Sequence, residues 1–99
     1  MPALPVYYEH ATSTSEAHAS ALDAIVTRTP PPIDQAHIVV LLSVTNSRGL
    51  LIEATARIVD SDGKVAILKP VRYERMDVFA ANHQSECVDR AQRFYEAHN

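Results

Sequence analysis

The chain has 99 residues, of which 46% are hydrophobic and two are glycine, so it can bury one compact core but not two. No apolar run approaches the roughly 20 residues of a membrane span. Residues 1–5 lack the features of a secretory signal. The single cysteine, Cys87, cannot form an internal disulfide. The net charge is −3, with most basic residues in 36–75, and the composition therefore predicts a single soluble, cytoplasmic domain over residues 1–99.

The first third of the chain predicts a strand followed by a helix. Residues 6–8 form a short β-prone run. Ser13 and Glu16 have the spacing of a capping box, in which each side chain satisfies a backbone amide of the first helical turn. We therefore predict a helix from about Thr14, ended by the three prolines that follow Thr29.

The middle of the chain alternates with period two. Even-numbered positions are apolar over residues 36–44 and again over 50–58, and the residues between these runs have turn composition. This pattern predicts two antiparallel strands joined by a tight turn. The even-numbered side chains should face the core and the odd-numbered ones should face away. The residues that we expect to be buried are Ile38, Val40, Ile52 and Ile58.

A third extended stretch follows a second turn. Asp62 and Gly63 form an Asp-Gly pair, which supplies the positive-φ residues that hairpin turns require. The chain should then run as one strand from Val65 to Tyr73. Pro70 has no amide to donate, so this strand should lie at an edge of the sheet.

The last segment predicts a helix with one apolar face. The pattern is clearest from Ser85 to Ala97. An earlier start near Val78, capped by Asp77, would explain the apolar residues that precede Ser85, and we prefer one long helix.

The complete order of elements is β-α-β-β-β-α, which predicts an α+β fold with two layers. The first helix is long enough to cross over the sheet, so the first strand can pair in parallel with the second. We therefore expect a four-stranded mixed sheet with both helices on one face.

Two short stretches resemble a known family. Residues 33–40 look like the segment that leads into the second strand of the ribosome hibernation-promoting factors, also called ribosome-associated inhibitors, and residues 77–81 look like the segment that opens their last helix. The resemblance implies a β-α-β-β-β-α domain that binds the small ribosomal subunit and regulates translation. It also implies that basic side chains contact RNA phosphates through charge complementarity. The alternative for each residue is an ordinary solubilising charge. The residues are Arg57, Lys69, Arg72, Arg75, Arg90 and Arg93.

The outward side of the predicted sheet suggests a rival function. An apolar stripe there would not be covered by helices on the opposite face, and such patches usually mark partner surfaces. A small acidic protein with this surface suits an inhibitor or adaptor of the phage-borne or plasmid-borne type, such as an anti-CRISPR protein, or a homodimer that pairs sheet to sheet. The stripe consists of Val39, Leu41, Leu51 and Val59.

Enzymatic function has little support in the sequence. His83 and Cys87 have the i, i+4 spacing of two metal ligands on one helical face, but a structural zinc site needs four ligands. A glycine-rich phosphate loop and a strand-to-helix nucleophile elbow are both missing. We therefore predict no catalysis, no metal and no cofactor.

Overall fold

Within the described residues, five strands and one helix form a mixed α+β fold. The computed structural model describes residues 2–11, 23, 25–46, 50–74 and 86–98. The elements are β1 (Val6–His10), β2 (His37–Asn46), β3 (Leu50–Val59), β4 (Val65–Ile67), β5 (Val71–Tyr73) and α1 (Glu86–His98). No helix among these residues is long and apolar enough to span a membrane.

The sheet is built around the β2–β3 hairpin, as the alternating pattern predicted. The two strands are antiparallel, with Ile38 opposite Ile58 and Val44 opposite Ile52. On the other side of β2, strand β1 pairs in parallel, which confirms that prediction as well. Both β4 and β5 pair with the free side of β3.

The predicted single strand from Val65 to Tyr73 is wrong, because the chain breaks it into β4 and β5. Ile67 lies opposite Arg57 and Val71 lies opposite Ala54. The chain therefore advances four residues from Ile67 to Val71, while the paired stretch of β3 advances three. The extra residue falls in the Lys69-Pro70 segment, where proline cannot donate a ladder hydrogen bond. Such an insertion is a β-bulge, and the sheet has five strands instead of four.

The core lies on the side of the sheet that faces α1. The predicted inward residues are buried, with Ile38, Val40 and Ile52 at 0% exposure and Ile58 at 4%. Strand β1 contributes Tyr8, and the buried residues of α1 are Cys87 and Ala91. Burial of these apolar side chains supplies most of the driving force for the two-layer packing.

Two hydrogen bonds that involve side chains tie α1 to other parts of the chain. The Tyr73 hydroxyl accepts a hydrogen bond from the Cys87 amide at 2.9 Å, which satisfies a donor that the first turn of a helix leaves free. The Gln92 side chain accepts from the Leu4 amide at 2.9 Å and thereby ties the segment before β1 to the helix. The expected start of this helix near Val78 lies outside the described residues.

The predicted first helix falls mainly on residues 12–22 and 24, which lie outside the described part of the chain. Its predicted last turn is wrong, because residues 25–29 form a turn and irregular backbone instead of helix. After this segment, Thr27 returns to the free side of β1. Its amide donates to the Tyr8 carbonyl oxygen at 3.0 Å, and its hydroxyl accepts from the Tyr8 amide at 2.9 Å. Thr27 therefore closes part of the β1 edge.

Candidate protein-binding surface

A shallow groove lies on the sheet face opposite α1. Strand pairing brings its side chains together across four strands, because Glu9 is opposite Leu41, Val39 is opposite Arg57, and Arg57 is opposite Ile67. The groove encloses about 130 Å³. We call it the outer groove, and its lining residues are Glu9, Val39, Leu41, Thr55, Arg57 and Ile67.

Apolar side chains are exposed in and beside the outer groove. Leu41 is 42% exposed, Ile67 68% and Val65 53%. Val59 is partly buried on the same face, opposite Val65. The side chain of Leu51, another residue of the predicted stripe, lies outside the described part of the structure.

The predicted stripe did not include Val65 or Ile67, although both belong to this surface. All three residues of β4 are apolar, so alternation could not show which of them face outward. Their pairing with the outward residues Val59 and Arg57 decides it. The apolar surface therefore extends from β2 across to β4.

Val39 is not exposed, contrary to the predicted stripe. It faces away from the main core but is only 3% accessible. Its neighbours in register are Tyr7 on β1 and Arg57 on β3, both much longer side chains. The short valine lies below them, and the apolar stem of an arginine can cover such a residue while its charge stays in water.

One ion pair crosses the outer groove. The Arg57 guanidinium lies 3.9 Å from the Glu9 carboxylate, and both side chains are about half exposed. A pair at this distance and exposure contributes little to folding, typically 0 to about 1 kcal/mol. The two charges remain accessible to a partner.

The predicted phosphate contacts do not form one surface. Arg57 and Arg72 face outward on the sheet, whereas Arg90 and Arg93 belong to α1 on the other side of it. Lys69 lies in the bulge and has no acidic partner among the described residues, and Arg75 lies outside them.

Acidic neighbours offset three of these six basic side chains, including Arg57 beside Glu9. Arg72 lies 3.7 Å from Glu53, and Arg90 lies 3.0 Å from Glu86 on the next turn of α1. Each pair reduces the local positive potential that would attract a phosphate. The described surface therefore carries alternating charges instead of a basic patch.

The histidines of the described residues are engaged in local contacts. His10 lies 3.0 Å from the Asp23 carboxylate, His37 Nδ1 lies 2.8 Å from the Gln35 carbonyl oxygen, and the His98 ring stacks on Phe94. Within the described ranges, no three His, Cys, Asp or Glu side chains are grouped to hold a metal ion. His83, whose spacing from Cys87 is that of two metal ligands, lies outside those ranges.

A second concavity lies between the β3–β4 turn and the end of α1. It encloses about 300 Å³ and is larger than the outer groove. Its polar groups are committed to the local fold, since the Asp60 carboxylate accepts from the Ser61 amide at 2.7 Å and His98 Nδ1 lies 3.0 Å from the Phe94 carbonyl oxygen. The other polar residues that line it are Lys64 and Tyr95.

No family model, no curated protein and no solved structure matches this chain. The function must therefore be argued from the residues of the chain itself.

Two buried weak acids, Tyr8 of β1 and Cys87 of α1, lie in the core between the sheet and the helix. Burial raises the pKa of Tyr8 to about 12, and the charges of Cys87 and Tyr73 add to this effect. Burial also raises the pKa of the Cys87 thiol to about 11, with Arg90 lowering it and Glu86 raising it to smaller extents. The thiol is therefore protonated at neutral pH, which makes it a weak nucleophile.

Proposed function

We propose that this protein acts noncatalytically, by associating with a protein partner through the outer groove and the adjoining β4 side chains; the partner is either the target of a small inhibitor or adaptor, or a second copy of the chain. The observation that supports this most is the exposure of Leu41, Val65 and Ile67 on one sheet face. Contiguous apolar side chains on a surface usually mark a site of protein association.

The chemistry of the outer groove fits a protein partner. Its floor is apolar, while Glu9 and Arg57 place one acid and one base at its sides. Interfaces commonly combine an apolar centre with a charged rim that fixes orientation. We also propose a cytoplasmic location, on the ground that the one cysteine is a buried free thiol.

Replacing Leu41 and Ile67 together with Asp should abolish partner capture and leave the domain folded. Leu41 is 42% and Ile67 is 68% exposed, so the two replacements together should lower the free energy of unfolding by about 2 kcal/mol, which is less than the stability of a typical small domain. Partner recovery by affinity purification from source cells, followed by titration with the purified partner, should show an affinity loss of about tenfold or more.

Ile33→Asp is the matched control, because Ile33 is 94% exposed in the segment before β2 and lies away from the groove. This variant should retain the partner. Capture that survives the double replacement but fails in the control would place the binding surface elsewhere.

A second candidate function is association with the small ribosomal subunit. Its support is the parallel pairing of β1 with β2, followed by β3 and a final helix packed on the sheet, which is the arrangement that the family resemblance implies. The complete β-α-β-β-β-α order, with both helices on one face, belongs to this proposal. The acidic partners of Arg57 and Arg72 count against it.

Charge reversal at Lys69, Arg72 and Arg75 should abolish cosedimentation with the small subunit if that function is correct. Three phosphate contacts also predict that the logarithm of the binding constant falls with the logarithm of salt with a slope of roughly 2. Reversal of Arg28 and Lys64 provides the control. Binding that is unchanged in the triple variant at low salt would rule out this surface.

A further inference from the structure

We propose that the partner of the outer groove is a second copy of this chain, related to the first by a two-fold axis that runs along β2. This inference rests on the proposed function, because it names the partner of the same surface. Its basis is the arrangement of charge in the outer groove, which carries both an acid and a base. Two copies of the groove can therefore form ion pairs with each other.

The acid and the base lie on opposite sides of β2. Glu9 belongs to β1 and Arg57 to β3, and each strand is a direct neighbour of β2. Their ion pair within one chain is long, at 3.9 Å, and both side chains are about half exposed. Each charge can therefore turn toward a partner while the intrachain contact, which is weak in water, is lost at little cost.

The position of these charges selects one way of stacking two sheets. A two-fold axis parallel to the strands places β1 of each copy over β3 of the other. Glu9 then meets the Arg57 of the second copy, and symmetry repeats the same contact on the other side. A two-fold axis across the strands would instead place β1 over β1 and bring like charges together.

The same axis also covers the apolar centre. Leu41 lies on β2 and therefore close to the axis, so it packs against its own copy. Glu9 and Arg57 differ by two residues in level along the sheet, a step of about 7 Å that a long arginine side chain can span. Under this axis the apolar contact at the centre is Leu41 against its copy, while Ile67, two strands from β2, lies over the outer side of the partner's β1.

Charge-swap variants test this arrangement. Glu9→Arg leaves two bases on the surface and Arg57→Glu leaves two acids, so each variant alone should lose dimerisation by about tenfold or more through repulsion between copies. An equimolar mixture should form a heterodimer, because each arginine of one chain then meets a glutamate of the other. Native mass spectrometry distinguishes the three dimers, and sedimentation velocity gives their dissociation constants.

Lys64→Glu is the control, since Lys64 lies in the turn between β3 and β4, pairs with Asp62 and is not among the residues that line the groove, and this variant should dimerise like the parent chain. If either charge-swap variant unfolds, Glu9→Lys mixed with Arg57→Asp repeats the test. A parent chain that stays monomeric at high concentration would overturn the second copy as partner, while capture of a different protein by the groove would still support the proposed function. Dimerisation that neither swap weakens would overturn the proposed axis.

Discussion

Val39→Asp should prevent stable folding, whereas Leu41→Asp, two residues along the same strand, should leave the domain folded. Val39 is 3% exposed and lies between Tyr7 and Arg57, so a carboxylate there would lose its hydration. The cost of burying such a charge is several kcal/mol, which is comparable with the whole stability of a small domain, about 5 to 15 kcal/mol. Urea denaturation monitored by circular dichroism would measure both variants.

Val39→Ala separates the loss of apolar contact from the burial of charge. This smaller change should reduce the free energy of unfolding by only about 1 to 2 kcal/mol. If Val39→Asp proved as stable as Leu41→Asp, the burial of Val39 on the outward face would be contradicted. Val39 would then rejoin Leu41 as a residue available to a partner.

Raising the pH from 8 to 11 should destabilise the domain strongly. Burial raises the pKa of Cys87 to about 11 and that of Tyr8 to about 12, from ordinary values of 9.0 and 10.0. The unfolded chain therefore releases these two protons first, and stability that is fully present below about pH 9 is lost as the pH approaches 11 to 12. The combined loss at pH 11 should be on the order of 3 kcal/mol.

Urea midpoints measured at intervals across this range would show the decline, and phenolate absorbance would report the ionisation of tyrosine. Cys87→Ala and Tyr8→Phe each remove one titrating group and should flatten the dependence on pH, whatever they do to stability at pH 8. A free energy of unfolding that stays constant from pH 8 to 11 would contradict the burial of these groups in a protonated state.

The central hairpin was predictable because local pattern and long-range pairing agree there. Alternation placed Ile38 and Ile52 on one face, and the structure buries both. The parallel pairing of β1 was also predictable, since a long connection separates it from β2. On the last helix, the spacing predicted one apolar face, and the structure buries Cys87 and Ala91.

The features that the sequence could not show depend on neighbours that are distant along the chain. Val39 was predicted to be exposed because alternation shows only which sheet face a side chain points to. Its burial depends on the longer side chains of Tyr7 and Arg57 beside it. The ion pair of Glu9 with Arg57 joins strands far apart in sequence. These contacts decide the candidate site, so its predicted composition was only partly right.

The bulge between β4 and β5 has a consequence for how this domain avoids aggregation. An uninterrupted edge strand offers free amide and carbonyl groups to any extended chain that meets it, including a partly folded copy. Here the edge consists of two runs of three residues, Val65–Ile67 and Val71–Tyr73, with Leu68, Lys69 and Pro70 between them. An incoming strand that pairs with the first run is out of register with the second, which disfavours growth of fibrils by edge addition even though apolar side chains are exposed nearby.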